Sequence, residues 1–450
     1  MPASAKYVFV ILLFTPWLIL HEYSPPGFYV DEAAGAAHAI CLNSSLTDYN
    51  GVKIPLLAES LGGGYTTPTY MYPLALWARV FGNSIFSLRW FSTFIVLLTV
   101  LFTYCVGRNI GFEKGNITVL LLAAVCPWAF HLSRMAWDPP MATMLLMGGV
   151  YFVSSPASIR NTVLSSIFAV LAMYAYPPFR VVVPLFFLGV IVSQKWPLKK
   201  FGCFSIAAII LALPLIEQTL SGEIQGRFER LSVFGDFASN PVAGQSFIIQ
   251  FIYFIKNIFL HFDPRYLFLY GDENLRHSPP FSGQLSYFSA GIVAFFIGGY
   301  FLQKRRSAGQ PYVGDEGRDF LKLSLWGIFC STIPAALTWQ GTPHALRSIG
   351  AWPFYVLLFA FMFTRLLKWV PAWLLYVSIV VQFSFFHWNY YSSFPSTASR
   401  WYDEQIVNAA SNNIAAFQTA NYPEIAKFYH RVRLGHLTPG AIKTICTKAQ

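Results

Sequence analysis

Long apolar runs separated by short polar links fill most of this chain. They fall at about residues 5–21, 85–107, 116–132, 139–153, 162–175, 181–193, 201–216, 287–302, 321–337, 352–363 and 369–387. Most approach the ~20 apolar residues that a helix needs to cross a bilayer. The pattern predicts an all-α integral membrane protein with about 11 transmembrane helices. Residues 1–388 read as one polytopic domain and 389–450 as a polar tail. Two long loops interrupt the rhythm, at 22–84 and 217–284. The first carries two helical patches, Glu32 to Leu42 and Tyr70 to Phe81, expected along the interface and jointed at Gly62-Gly63-Gly64. In the second, Ser246 to Ile255 is apolar enough to span. Gln250, Lys256 and Asn257 recur on one face, so an interfacial helix is expected there.

Composition strengthens the membrane reading. Hydrophobic residues make up 55% of the sequence and charged residues 11%, against roughly 25% charged in soluble domains. The net charge of +11 does not point to nucleic acid. Its cations cluster in loops expected inside, such as Lys199-Lys200 and Lys304-Arg305-Arg306, as the positive-inside rule requires. That rule places both long loops and the tail on the outer face. No small-x-small cleavage site follows the first run, so it is expected to be retained. The six cysteines show no CxxC spacing. Four lie in apolar runs; Cys41 and Cys446 lie in polar segments on the expected outer side, where a disulfide is open to them.

Candidate chemistry collects on that outer face. Asp31 and Glu32 follow the first span, a rare acidic pair in a chain with 20 Asp and Glu in total. Arg134 and Asp138 lie between the third and fourth spans, Arg180 between the fifth and sixth, and His344 and Arg347 between the ninth and tenth. Asp272, Glu273, Arg276 and His277 precede the eighth. Charges at membrane depth are expensive and point to function by default. The chemistry that fits is sugar transfer from a lipid phosphate. Arginines bind phosphate bidentately and stabilise it as it leaves, and a carboxylate takes the proton of an acceptor hydroxyl. Asp31 is the expected base, with Glu32 in support and Asp138 orienting the acceptor. Arg134, Arg180 and Arg347 are the expected phosphate ligands, and His344, Arg276 and His277 are further candidate substrate contacts.

Each residue also has a plainer reading. Asp31 would serve as the N-cap of the Glu32–Leu42 helix, and Asp138 as the cap before Pro139-Pro140. Arg134 and Arg180 would snorkel to headgroups. His344 would be a packing histidine, and Asp272-Glu273 a solvated turn. The histidines show no metal-ligand spacing. No cofactor is required; two carboxylates are compatible with a divalent cation beside a phosphate, and nothing in the sequence demands one.

The chain resembles the GT-C superfamily of membrane glycosyltransferases, in the family 39-like branch of protein O-mannosyltransferases and the lipid A aminoarabinose transferase. The resemblance rests on Phe28-Tyr29-Val30-Asp31-Glu32-Ala33, on Tyr72 to Gly82 before Ser87-Leu88-Arg89, on Ser133 to Asp138 and on Tyr270 to His277. It implies an inverting transferase that uses a polyprenyl- or dolichyl-phosphate sugar. The acceptor class (lipid, glycan or protein) stays open, and the expected location is a bacterial inner membrane with the site facing outward. It also puts the family's acidic positions on Asp31, Glu32 and Asp138, and its phosphate-binding positions on Arg134 and Arg180. Relatives often read His-Pro-Pro-Leu where this chain has Thr67-Pro68-Thr69-Tyr70. The competing class is a multi-span transporter or flippase, disfavoured by the absence of an inverted repeat; a non-catalytic scaffold is a third reading.

Overall fold

Each predicted apolar run folds as helix. A computed structural model describes residues 3–48, 50–59, 65–112, 116–220, 225–306, 315–367, 369–402 and Cys446. The Gly62-Gly63-Gly64 joint and, apart from Cys446, the tail beyond Tyr402 lie outside the described residues. In chain order the helices are α1 (Ala3–Leu13), α2 (Val30–Ser45), α3 (Pro68–Phe81), α4 (Ile85–Asn109), α5 (Asn116–Ala124), α6 (Pro127–Ser133), α7 (Pro139–Ser154), α8 (Ile159–Ala175) and α9 (Phe179–Ser193). Then come α10 (Leu198–Leu220), α11 (Gln225–Leu231), α12 (Phe247–Leu260), α13 (Tyr287–Arg306), α14 (Asp315–Ala336), α15 (Trp352–Leu366), α16 (Ala372–Ser392) and α17 (Phe394–Ala398). The described strands, β1 (Ala58–Glu59) and β2 (Tyr65–Thr66), pair as one short antiparallel ladder in the first long loop.

Among the described residues, three helical stretches are long and apolar enough to cross a membrane: Ile85–Asn109, Leu198–Leu220 and Ile349–Leu366. The other runs form helices that are shorter, more charged or, like α16, less apolar, so helix length and composition do not reproduce about 11 spans. The third expected span is broken in two. Pro127 has no amide hydrogen to donate and disfavours helical backbone at the residue before it. Cys126 is accordingly extended, and α6 starts afresh at Pro127. Just past the break, the Trp128 N–H donates to the Gln284 carbonyl at 3.0 Å, tying α6 to the second long loop.

The core is a helical stack in which α7 packs against α4 and α8, α8 against α10, and α14 against α9 and α15. The outer helices are inverted relative to a soluble protein. On α10, Ile206, Ile209, Ile210 and Leu213 are exposed. On α12 the exposed residues include Phe247, Ile248, Ile252 and Phe259. The buried polar residues of α12, Gln250 and Asn257, turn inward instead; Asn257 Nδ2 donates to the carbonyls of Ala336 and Thr338, each at 3.1 Å. Lys256, expected on the same face, is exposed. Apolar residues outside and satisfied polar groups inside are what a lipid environment selects, and they mark an integral membrane protein.

Candidate active site

The alanine-rich start of α2 is the base of the site. Small side chains at Ala33, Ala34, Ala36 and Ala37 let neighbouring elements approach closely. A Cβ on Gly35 would meet the Tyr70 ring of α3 at 3.5 Å and the Ala136 carbonyl at 4.0 Å. The helix begins at Val30 with Tyr29 as its N-cap. Asp31 is therefore not the cap. It sits in the first turn, where a negative charge is favourable, and it is exposed.

Glu32 takes a different role from the one expected of it. Its side chain is fully buried and paired with the fully buried Arg89 of α4. Arg89 Nε donates to Glu32 Oε1 and Nη2 to Oε2, both at 2.9 Å. The same carboxylate accepts the Tyr29 N–H at 3.0 Å and the Ala136 N–H at 2.8 Å. Arg89 also donates to the carbonyls of His21, Pro25 and Gly27 at 2.7–2.8 Å. The pair thus knots α2, α4, the loop after α1 and the link before α7. A carboxylate committed to this many donors is a framework group, not a base. The signal available in the sequence was Arg89 itself, a lone charge in an apolar run.

Arg134 is corrected in the same way. It is fully buried. Its Nε and Nη2 donate to the Ser24 carbonyl at 3.0 and 2.8 Å, and Nη1 to the carbonyls of Ile19 and Pro16 at 2.7 and 3.2 Å. It holds the end of the first apolar segment with four of its five N–H groups. Asp138 occupies the N-cap position of α7 and is half-buried, but its side chain makes no capping hydrogen bond.

Several of the remaining candidates are linked to the start of α2 and to one another by contacts. From the second long loop, the Arg276 guanidinium lies over the Tyr29 ring at 4.3 Å and the Trp401 ring at 5.6 Å, within cation–π range. His277 stands 6.1 Å from the Trp137 ring and 4.6 Å from the His344 ring, stacked on the latter. Asp272 is buried, not part of a solvated turn; only Glu273 beside it is exposed. Asp272 Oδ2 accepts from His277 Nδ1 at 3.0 Å and from the Ala345 N–H at 2.9 Å. Among the described residues, Asp272, His277 and His344 are the group that could hold a metal ion. Burial, then Arg347, holds the His344 imidazole well below its ordinary pKa. Arg347 Nη1 donates to Thr338 Oγ1 at 2.7 Å and to the Gln340 carbonyl at 2.8 Å.

Arg180 lies at the start of α9. Phe179 beside it lies 3.2 Å from where a Cβ on Gly350 would stand. On the other flank, Thr67 Oγ1 donates to the Ala175 carbonyl at 2.9 Å, bringing the start of α3 to this link. Arg180 is half-buried, and its Nε is buried without a hydrogen-bond partner. Cys41, in the body of α2, is disulfide-bonded to Cys446, resolving what sequence left open.

By sequence, no protein-family model and no curated protein matches the chain. By structure, it resembles ArnT from Cupriavidus metallidurans bound to undecaprenyl phosphate, at 11% identity and a TM-score of 0.50 over 99% of this chain and 78% of that one. The apo form of the same protein matches at 11% identity and a TM-score of 0.51, with the same coverage. The archaeal oligosaccharyltransferase AglB from Archaeoglobus fulgidus, in complex with an inhibitory peptide and a dolichol-phosphate, follows at 11% identity and a TM-score of 0.46, over 95% of this chain and 59% of that one. The likeness to ArnT is one of fold.

Proposed function

We propose that the chain is a membrane glycosyltransferase that moves a sugar from a polyprenyl-phosphate donor to an acceptor hydroxyl, with inversion, at the outer face of a bacterial plasma membrane. The observation that carries this reading is the division of labour in the acidic pair. Glu32 is locked in the buried frame, and Asp31 beside it is exposed. The shared fold with ArnT, a protein crystallised with undecaprenyl phosphate, supports a lipid-phosphate donor. The disulfide between Cys41 and Cys446 supports an outward site, since such bonds persist in oxidising compartments.

In this mechanism Asp31 takes the proton of the acceptor hydroxyl. The oxygen attacks the anomeric carbon from the face opposite the phosphate, the bond to the phosphate oxygen breaks, and the lipid phosphate leaves with the electron pair. Arg180 is its principal ligand, because burying an unsatisfied guanidinium nitrogen is unfavourable until an anion arrives. Arg347 and Arg276 add positive charge, and Asp138 orients the acceptor.

Replacing Asp31 with Asn tests the reading. Transfer from a defined polyprenyl-phosphate sugar should fall by about 10²–10⁴-fold, the usual contribution of a general base, in a protein that still folds. A transporter or a scaffold would not notice the change, and full transfer by Asp31→Asn would sink the assignment.

A further inference from the structure

Asp272 and His277 come from the loop before α13, and His344 from the link between α14 and α15. All three are buried, and one ligand atom from each lies within 4.8 Å of the others. The two closest edges are 3.0 Å, from His277 Nδ1 to Asp272 Oδ2, and 3.9 Å, from His344 Nδ1 to the same oxygen. Ligands bonded tetrahedrally at about 2.0–2.2 Å stand about 3.3–3.6 Å apart, and the two edges bracket that spacing. The carboxylate is already oriented from behind. Its Oδ1 accepts the Asn274 N–H and its Oδ2 the Ala345 N–H, both at 2.9 Å. The backbone of His344 is pinned as well. Its N–H donates to His261 Nε2 at 3.0 Å, and His261 Nδ1 donates in turn to the Asn257 carbonyl at 2.8 Å. A shell that fixes ligand orientation from outside is the usual companion of a metal site. The one contact competing for His344 Nδ1, from the Arg347 N–H, is 3.4 Å, long for a hydrogen bond.

We propose that Asp272, His277 and His344 bind a single divalent cation of the zinc class. Two imidazole nitrogens and one carboxylate oxygen suit a borderline cation; calcium and magnesium prefer oxygen ligands throughout. Binding moves the proton of the neutral His277 imidazole from Nδ1 to Nε2, which leaves the Nδ1 lone pair for the ion. The ion clamps the second long loop to the link carrying Arg347, and a fourth position stays open for water. Arg276 and Arg347 nearby weaken the site relative to an all-anionic one.

The test needs no transfer assay. Full-length protein in detergent is stripped with a chelator, reloaded with zinc or cobalt(II), freed of excess ion and measured for metal content and visible absorption. The expected result is one ion per chain and a tetrahedral cobalt spectrum, both lost in His277→Ala and in Asp272→Asn. The wild-type cobalt spectrum is informative even if a variant fails to fold. Substoichiometric metal in the reloaded wild type, or full metal and an unchanged spectrum in both variants, would overturn the proposal and leave a hydrogen-bonded cluster.

Discussion

Two short links of this protein look alike in sequence and differ in what they do. Each joins two apolar helices, and each carries one arginine at membrane depth: Arg134 before α7 and Arg180 at the start of α9. Arg134 gives four of its five N–H groups to the carbonyls of Pro16, Ile19 and Ser24. Arg180 has a buried Nε with no partner. The difference lies in what the fold brings to each. The loop after α1 folds back over the first link and supplies acceptors, whereas the start of α3 meets the second link through Thr67, which spends its hydroxyl on a backbone carbonyl. A buried cation whose acceptors come from its own chain is structural; one whose acceptors are missing is where an anionic ligand gains most.

The comparison can be broken at either link. Arg134→Ala has the largest expected effect. It strands several buried carbonyls at about 1–3 kcal/mol each, so thermal unfolding should show a loss of more than ~3 kcal/mol, and Arg134→Lys should not restore it because a lysine cannot span the same fork of acceptors. A wild-type melting temperature in Arg134→Ala, with donor binding lost, would reverse the roles assigned here. Arg180→Ala should act on the ligand. Donor affinity is expected to fall by about 1.5–3 kcal/mol, the worth of a hydrogen bond to a charged group, while stability stays within about 0.5 kcal/mol. Titrating a lipid phosphate against the purified variant measures it. Asp138→Ala has the smallest expected effect on stability. A true N-cap would cost about 1 kcal/mol, but Asp138 makes no capping bond, so a change under ~0.5 kcal/mol is expected alongside weaker acceptor turnover.

The helices were legible because they follow from hydropathy, which is a local property. What could not be read was partnership. Whether Glu32 or Asp31 faces the solvent depends on Arg89, 57 positions along the chain, and the Asp272–His344 approach depends on two loops far apart in sequence. The break at Cys126-Pro127 was visible as a proline but lost inside an apolar run, where hydropathy outweighed backbone chemistry.

The disulfide between Cys41 and Cys446 also sets a counting rule. Its two ends are 405 residues apart and must share one aqueous compartment, so the chain between them crosses the bilayer an even number of times. The expected spans from α4 through α16 obey that parity. Letting α12 cross as well would make the number odd and pull the bonded sulfurs to opposite sides, unless another segment gave up its own passage.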